Sequence, residues 1–422
     1  MSISKNWKTV PLGKVCRVIP GYAFKSKDWC AEGIPVIKIK NVQSDRSVNT
    51  ENADCVPESI YSDRLKKFLL EDGDILLAMT GATAGKVGKL RTKSPMLLNQ
   101  RVAKIKPVEA DPDFIWSLVS SDEYQTKFFN LADGAAQPNM SGGQIEGLEL
   151  RLPDLPTQRK IAGILSAYDN LIENNLRRIK ILEEMAQSLY REWFVHFRYP
   201  GHESVPLVDS PLGPIPDGWE RTTIGRFEEN KELSLQTGPF GTQLKASYYT
   251  ETGTPVINVR NIGFGTLRAE KLEFLPPDKE EDLKRHKLKA GDIVFGRKGA
   301  VERHLLVGPV EDGWIQGSDC IRLRVLTESL SPQFLSIAFR EPDHQRWMMN
   351  QCSGGATMAS LNQDILCRIP VVLPSRKILT LFDNFISKAL DEVDILASKN
   401  QNLRKTRDLL LPKLLSSENP SP

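Results

Sequence analysis

The stretch Gly33-Ile-Pro-Val-Ile-Lys-Ile-Lys-Asn-Val42 recurs later in the chain as Gly253-Thr-Pro-Val-Ile-Asn-Val-Arg-Asn-Ile262. Four further pairs of segments recur in the same order, about half the chain apart: Trp7 with Leu12-Gly13-Lys14 and Trp219 with Ile224-Gly225-Arg226; Gly73-Asp74-Ile75 and Gly291-Asp292-Ile293; 133–136 and 353–356; Leu152-Pro153 with Arg159-Lys160-Ile161 and Leu373-Pro374 with Arg376-Lys377-Ile378. Matches in one order at similar spacing indicate an internal repeat, which decides the architecture.

Composition excludes several classes of protein. The chain has 422 residues, of which 40% are hydrophobic and 26% are charged, so an ordinary globular protein of two to four domains is expected. No apolar run is long enough to span a membrane and the first residues lack a signal-peptide stretch, which predicts a soluble, cytoplasmic protein. The six scattered cysteines form neither a disulfide framework nor a metal pattern. A net charge of +3 means that any DNA-binding surface must concentrate basic residues locally.

Each half follows the same plan. Short β-like runs, such as 36–39, 75–78 and 102–105 in the first half, are separated by glycine-rich turns, and a long helical stretch closes the half. The sequence therefore predicts an α+β protein with two repeated globular domains, two long helices and pseudo-twofold symmetry. The predicted segments are a domain at 1–155, a helix at 156–198, a proline-rich linker at 199–217, a domain at 218–374, a helix at 375–416 and a flexible tail at 417–422.

Both helical stretches carry a heptad seam, in which core-compatible residues alternate in steps of three and four. The first seam is Leu165, Tyr168, Ile172, Asn175, Ile179, Leu182, Ala186, Leu189 and Trp193. The second seam is Phe382, Phe385, Ala389, Val393, Leu396, Asn400, Leu403, Arg407, Leu410 and Leu414. Because each seam needs a partner, the sequence predicts that the two helices form a coiled coil.

The repeat also predicts how the helices pair. Two helices related by a pseudo-twofold axis run antiparallel, so the residue numbers of facing positions add to a constant, about 575 when both helices are centred. The predicted pairs are Asn175 with Asn400, Ile179 with Leu396, Leu182 with Val393 and Tyr168 with Arg407. A buried asparagine pair would fix the register at a cost in stability.

Motifs for catalysis are weak. The segment Gly81 to Lys86 resembles a phosphate-binding loop, but it is one residue short and Val87 follows where a serine or threonine is needed. The acidic run from Asp278 to Lys284 imitates a nuclease site, but a salt-bridged helix start is the simpler interpretation. The five histidines lack metal-ligand spacing, and neither a nucleophile elbow nor a methyltransferase or dinucleotide motif is present. We expect no cofactor and no metal in this chain.

The polar loops are better suited to recognising nucleic acid, because their side chains can bind phosphates and base edges. Candidate DNA-binding residues of the first half are Tyr22, Lys25, Ser26, Lys40, Asn41, Thr80, Thr83, Lys86, Asn99, Gln100, Arg101, Gln137, Asn139 and Ser141. Those of the second half are Thr242, Gln243, Lys245, Arg260, Asn261, Arg297, Lys298, Arg303, His304, Ser318 and Thr357. Any single loop could equally be a surface turn, and Asn41 and Asn261 could each fix such a turn.

Over essentially its full length the chain resembles the specificity subunits of type I restriction-modification systems. The resemblance rests on the ends of the two helices, Ser188 to Arg198 and Arg407 to Leu415, on the Gly238 to Gly241 loop and on the Gly-Asp-Ile turns. The second half departs from the pattern at 354–359, which lacks the Gln-Pro-Asn run of 137–139.

The resemblance implies a non-catalytic subunit. Each domain would recognise one half of a split, asymmetric double-stranded DNA target, and the helices would set the spacer and dock two modification subunits. Those subunits would bind S-adenosylmethionine and methylate adenine, and restriction subunits would use ATP and Mg²⁺ to translocate and cleave DNA. Two alternatives stay open at this point: a self-contained nuclease or nucleotide hydrolase, and a coiled-coil adaptor that holds proteins.

Overall fold

A computed structural model describes residues 7–51, 53–132, 139–210, 213–269, 271–352 and 359–415. The chain forms two compact units that do not follow the predicted segment boundaries. Unit 1 combines residues up to Asn174 with those from Lys399 onward, and unit 2 comprises Asn175–Ser398. Each unit therefore contains one globular domain and a portion of both long helices. The predicted tail at 417–422 lies outside the described residues.

Unit 1 is built around two four-stranded sheets, ordered β2-β9-β6-β7 and β4-β3-β8-β5, with the pair β1-β10 beside them. Its strands are β1 Lys8–Pro11, β2 Cys16–Pro20, β3 Ile34–Ile37, β4 Asp54–Val56, β5 Leu69–Leu70, β6 Ile75–Ala78, β7 Val87–Lys89, β8 Met96–Leu98, β9 Val102–Pro107 and β10 Glu149–Leu152. Its helices are α1 Leu12–Val15, α2 Pro112–Val119, α3 Asp122–Leu131, α4 Gly142–Glu146 and the start of α5 Leu155–Tyr190.

Unit 2 repeats this plan with a five-stranded sheet, β14-β21-β18-β19-β16, a three-stranded sheet, β17-β15-β20, and the pairs β13-β22 and β11-β12. Its strands are β11 Leu207–Val208, β12 Ile215–Pro216, β13 Glu220–Thr223, β14 Leu233–Thr237, β15 Thr254–Ile257, β16 Phe264–Gly265, β17 Glu273–Leu275, β18 Ile293–Gly296, β19 His304–Leu306, β20 Ile315–Gln316, β21 Cys320–Val325 and β22 Pro370–Leu373. Its helices are α6 Ile224–Glu229, α7 Pro277–Asp282, α8 Pro332–Phe339, α9 Pro342–Cys352, α10 Gln363–Cys367 and much of α11 Arg376–Leu415.

Matching local signals start equivalent helices in the two units. Helix α2 begins with Pro112 after Asp111, whose carboxylate accepts hydrogen bonds from the backbone N–H groups of Asp113 and Phe114. Helix α8 begins with Pro332 after Ser331, whose hydroxyl accepts from the N–H of Phe334. Proline suits the first helical position because that N–H has no partner within the helix, and the capping oxygen satisfies a second free donor. Both helices are then held by burial of their apolar residues.

The hydrophobic core of each unit includes residues from both long helices. In unit 1, Ile161 and Leu165 of α5 and Leu411 of α11 pack with Phe114 and its neighbours. In unit 2, Phe194 and Phe382 belong to one cluster with Phe334, and the Phe194 and Phe382 ring centroids are 4.8 Å apart. Burial of such aromatic side chains is worth several kcal/mol in all, so neither domain completes its core without the helices.

The predicted architecture of two similar domains with long antiparallel helices is confirmed. Helix α5 ends in a π-helical turn at Arg191–Val195 instead of continuing to residue 198, and α11 runs close to the predicted bounds. Within the predicted seams Leu165, Ile172, Ala186, Trp193, Phe382, Leu396 and Asn400 are buried, whereas Ile179, Leu182 and Val393 are half-buried. Phe385 is an exception, because it is exposed and Ile386 takes the buried position.

The antiparallel register is observed separately in each unit. In unit 1 the Asn400 amide donates to the carbonyl of Ile172 at 3.5 Å, and Arg407 Nη1 donates to Asp169 Oδ1 at 2.6 Å. In unit 2 Arg178 Nη2 donates to Glu392 Oε1 at 2.7 Å. The residue numbers in these pairs add to about 575, as antiparallel pairing requires. Arg407 therefore faces the residue after Tyr168, and pairing of Asn175 with Asn400 stays a prediction.

The proline-rich segment is more ordered than the predicted linker at 199–217. Strands β11 and β12 form an antiparallel pair within it, and Ile215 is buried. Tyr199 stacks on Trp219, with ring centroids 4.9 Å apart. The described part of the segment is thereby attached to the core of unit 2. In addition, none of the described helices is long and apolar enough to cross a membrane.

Asp169 ties three helices of unit 1 together, which predicts a large effect of its removal. Its carboxylate accepts from Arg407 of α11 and from the Trp116 indole N–H of α2 at 2.8 Å. We expect Asp169→Ala to lower the free energy of unfolding by ~2 kcal/mol, because it leaves the Trp116 indole donor unpaired and leaves the mostly buried Arg407 guanidinium with Asp408, at 3.0 Å, as its remaining carboxylate partner. The measurement is a urea denaturation curve followed by circular dichroism. Asp63→Ala, which removes an exposed ion pair with Lys66, is the control and should cost less than ~0.5 kcal/mol. Equal losses in the two variants would contradict the prediction.

Candidate nucleic-acid interface

In each unit, two parallel strands bring polar turns to one edge of a sheet. Strand β3 pairs in parallel with β8, so the carboxyl ends of both strands lie at the same edge of the sheet. The turn at 38–41 follows β3 and the turn at 99–101 follows β8, and the two turns are therefore neighbours. The N–H of Asn99 donates to the carbonyl of Ile37 at 3.0 Å. In unit 2, β15 pairs in parallel with β20, and the N–H of Gly317 donates to the carbonyl of Ile257 at 2.9 Å.

Further backbone hydrogen bonds attach three more loops to this edge. In unit 1 they run from Gly21 N to Val102 O (3.0 Å), from Met79 N to Arg101 O (2.9 Å) and from Met140 N to Met79 O (3.1 Å). In unit 2 the equivalent bonds run from Gly238 N to Cys320 O (2.9 Å), from Arg297 N to Asp319 O (2.8 Å) and from Leu361 N to Arg297 O (2.8 Å). We call this repeated set of bonds the loop scaffold.

Glycine is required where the first loop crosses the scaffold. A Cβ atom at Gly21 would collide with the carbonyl of Asn99, and a Cβ atom at Gly238 would collide with the carbonyl of Gly317. Only glycine permits backbones to approach this closely. The loops that follow, 22–26 and 239–245, are therefore held against the turns at 99–101 and 317–319.

Many predicted residues of unit 1 lie on or next to its scaffold. Gln100 and Arg101 are exposed at the β8–β9 turn, Asn139 is exposed in a bridge with Thr80, and Tyr22 is half-buried in a bridge with Asn99. Thr80, Thr83 and Lys86 are half-buried, whereas Lys25, Ser26, Lys40 and Ser141 are exposed. Ser141 also caps α4, since its hydroxyl accepts from the N–H of Gln144.

Unit 2 presents different side chains on the same scaffold. Lys298 occupies the bridge position equivalent to Thr80, and Asp319 occupies the position of Arg101. Thr242, Gln243, Lys245, Arg260 and Lys298 are exposed, whereas Arg297, Arg303 and Ser318 are half-buried. Gln137 and Thr357 lie outside the described residues.

Four predicted DNA-binding residues are corrected, because the structure buries them. Asn41 accepts from Lys38 N at 2.9 Å and donates to Asn49 O at 2.8 Å. Asn261 is 0% exposed and makes the equivalent bonds, accepting from Asn258 N at 3.1 Å and donating to Arg268 O at 3.0 Å. Both asparagines fix turns, which was the structural alternative. Asn99 is buried at the start of its turn.

The fourth correction is His304, which is 0% exposed and whose Nε2 lies 2.9 Å from Ser336 Oγ. Burial, and then the nearby Arg340 charge, hold the pKa of His304 well below its ordinary value, so the ring is neutral at pH 7. It is a core residue packed against Phe295 and Phe339.

Two acidic residues beside the predicted bases were missed by the sequence analysis. Asp54 accepts from Lys38 at 2.9 Å and from Lys40 at 2.8 Å, and these bonds lower the pKa of its carboxyl group. Glu273 binds Arg260 at 2.7 Å in the equivalent place of unit 2. The repeated pattern of an acidic residue three positions before Pro57 and Pro276 could have revealed them.

The two enzyme-like motifs have structural roles. Lys86 is followed by β7, whereas a phosphate-binding loop precedes a helix, and its ammonium group binds Ser44 Oγ. The acidic run forms α7, where Lys279 pairs with Asp282 and Lys284 with Glu281. Among the described residues there is no cluster of three potential metal-ligating side chains.

The chain is similar to known proteins in sequence and in fold. Residues 4–184 match the family model of the type I restriction modification DNA specificity domain. The chain is 22% identical to the type I restriction enzyme MjaVIII specificity subunit of Methanocaldococcus jannaschii, over 99% of this chain and 94% of that protein. It is 23% identical to the EcoKI specificity subunit of Escherichia coli, over 82% of this chain and 74% of that protein.

Over essentially its full length the chain is similar to type I restriction-modification specificity subunits. The crystal structure of the S subunit from M. genitalium has the same fold, with a TM-score of 0.54 at 15% identity over 99% of both chains. The matched family model is a DNA specificity domain, which agrees with the polar loops that the scaffold collects in each unit.

The two buried asparagines generate a prediction that separates structural from surface roles. Asn261→Ala leaves the N–H of Asn258 and the carbonyl of Arg268 without their side-chain partners, so we expect a loss of ~2 kcal/mol in unfolding free energy. Arg260→Ala, at the exposed neighbour, should cost less than ~1 kcal/mol. Urea denaturation measures both. A neutral Asn261→Ala variant would show that the turn does not depend on the amide.

Proposed function

We propose that the chain recognises a two-part, asymmetric double-stranded DNA target, with each unit binding one half. The observation that carries this proposal is the loop scaffold, which repeats in the two units while its side chains differ. Arg101 in unit 1 is replaced by Asp319 in unit 2, and Thr80 by Lys298. A guanidinium group and a carboxylate prefer different base edges, so the two halves of the target should differ in sequence.

The exposed residues of the scaffold are the proposed DNA contacts. Gln100, Arg101 and Asn139 carry groups that can form paired hydrogen bonds with a base edge in the major groove, whereas Lys25 and Lys245 suit phosphate contacts. Asp54 and Glu273 hold the neighbouring basic groups in ion pairs, which limits non-specific attraction to the DNA backbone. The near-neutral net charge fits a subunit that binds DNA together with partners.

The catalytic steps belong to other subunits in this proposal. The chain would hold no cofactor, and methylation with S-adenosylmethionine and ATP-driven cleavage with Mg²⁺ would be carried out by modification and restriction subunits. If the purified chain alone cleaved, methylated or hydrolysed a substrate, a self-contained enzyme would be the correct interpretation. If the complex showed no sequence-selective DNA binding, the correct interpretation would be a coiled-coil adaptor that holds proteins.

The long helices offer a surface for the modification subunits. On the part of α5 that belongs to unit 2, the large apolar side chains of Ile181 and Met185 are exposed. They are four residues, or about 40°, apart on the helix surface, so they form one short stripe outside the seam that faces α11. Exposed apolar stripes of this kind mark interaction sites. At ~1.5 Å per residue the 36 residues of α5 span about 54 Å and the 40 residues of α11 about 60 Å, and we propose that this length sets the unread spacer.

Exchange of one domain tests the division of labour. Replacing residues 1–155 by the matching segment of a relative should change one half of the methylated target and leave the other half unaltered, because the base contacts of each unit are independent. Sequencing of methylated adenines in DNA modified by the assembled complex measures the outcome. The reciprocal exchange of residues 218–374 is the control and should change only the other half. A change in both halves would contradict the proposal.

The apolar stripe on α5 predicts the effect of charge on assembly. Ile181→Lys combined with Met185→Lys should abolish co-purification with modification subunits, and should leave the melting temperature of the isolated chain within a few degrees because both side chains are exposed. Leu176→Lys is a matched control, since this exposed leucine lies five residues, or about 140°, from Ile181. Unchanged assembly of the double variant would place the docking surface elsewhere.

A further inference from the structure

An arginine in unit 2 lies on an exposed aromatic ring. Phe240, in the Gly238 to Gly241 loop, is 59% exposed, and the Arg297 guanidinium carbon is 5.4 Å from the centroid of its ring. The ring also borders a cavity of about 280 Å³ lined in part by Gln243 and His286. Because so little of Phe240 is buried, core packing does not account for its position.

The backbone of Arg297 is fixed by the loop scaffold. Its N–H donates to the carbonyl of Asp319, and its carbonyl accepts from the N–H of Leu361, both at 2.8 Å. The residue directly follows β18, at the edge that carries the polar turns. The guanidinium group is therefore placed by two features, the backbone below it and the ring beside it.

In the part of the chain that the structure describes, no acceptor binds this guanidinium. Its Nε is buried without a hydrogen-bond partner there. Neighbouring arginines are held differently, since Arg260 pairs with Glu273 at 2.7 Å and Arg324 pairs with Asp292 at 2.6 Å. A half-buried guanidinium with free donors gains strongly from a ligand that offers two acceptors in one plane.

We propose that Arg297, supported by Phe240, recognises a guanine in the half-target bound by unit 2, and this inference rests on the proposed function. The O6 and N7 atoms of guanine are the paired acceptors that arginine binds most often in the major groove. The aromatic ring holds the guanidinium plane, so little side-chain freedom is lost on binding. The exposed carboxylate of Asp319, at the adjacent turn, lies 3.8 Å from the Lys298 ammonium group and so offsets part of the attraction of this surface for phosphate.

Unit 1 supplies an internal comparison. Met79 occupies the position equivalent to Arg297, because its N–H donates to Arg101 O and its carbonyl accepts from Met140 N. Met79 is 5% exposed and belongs to the core of unit 1. The arginine contact is thus specific to the second half of the target, and Arg297→Met converts the position to the one that the same scaffold already accommodates in unit 1.

The test uses the full chain assembled with its modification subunits and a duplex carrying its methylation target. Each guanine of the unit 2 half-target is replaced in turn by 7-deazaguanine, which lacks the N7 acceptor, and affinity is measured by competition. For the unaltered chain we expect a loss of about 10- to 100-fold at one guanine. Arg297→Met should bind the unmodified target as weakly and should be insensitive to 7-deazaguanine at that position. Phe240→Leu should lose less affinity than Arg297→Met, and its reduced discrimination should concern the same guanine.

Arg376→Met removes an exposed arginine paired with Glu328 and is the control for loss of one positive charge. It should retain the full response to 7-deazaguanine. The inference is overturned if Arg297→Met keeps that response, if the half-target contains no sensitive guanine, or if the variant weakens all sequences equally with a smaller salt dependence, as loss of a phosphate contact would. If the unaltered complex selects no sequence, the proposed function fails first, and the inference fails with it.

Discussion

The pairing of two antiparallel helices is the constraint on which the rest of the structure depends. Neither globular domain closes its core from contiguous sequence, since unit 1 uses Leu411 from near the end of the chain and unit 2 uses Phe194 together with Phe382. Asp169 shows the same dependence through polar contacts, because its carboxylate joins α2, α5 and α11. A chain built in this way stabilises its domains and its helix pair together.

The loop scaffold separates the stability of each unit from what the unit recognises. Its bonds run between backbone groups, such as Met79 N to Arg101 O and Arg297 N to Asp319 O, so they do not depend on which side chain each position carries. Glycine at positions 21 and 238 keeps the loops close enough for these bonds. Side chains on the outer surface can then change from arginine to aspartate, or from threonine to lysine, without loss of the fold.

Sequence patterns predicted which loops lie together better than they predicted which side chains are exposed. The repeat identified loops that the structure joins in the loop scaffold, because backbone turns recur with their glycines and buried strands. It did not distinguish Lys40 from Asn41 or Arg303 from His304, since neighbouring polar residues in a turn point to opposite sides. Asn41 and Asn261 form hydrogen bonds with backbone groups inside their turns, and His304 packs among aromatic rings. All three side chains are therefore buried and do not face a ligand at the surface. The acidic partners Asp54 and Glu273 recur three positions before a proline, but the sequence does not show that each lies beside a basic residue of the preceding turn, because that contact forms between different strands and turns.

The sequence by itself determined the two-fold repeat, the two heptad seams, the antiparallel direction of the helices and the resemblance to specificity subunits, because periodicity and recurrence are local properties of the chain. Tertiary structure decided the division into units that each combine both helices, the burial of Ile386 in place of Phe385, and the contact of Phe240 with Arg297. These outcomes depend on which surfaces meet when distant segments pack, and small differences in burial and hydrogen bonding select among positions that have the same polarity in sequence.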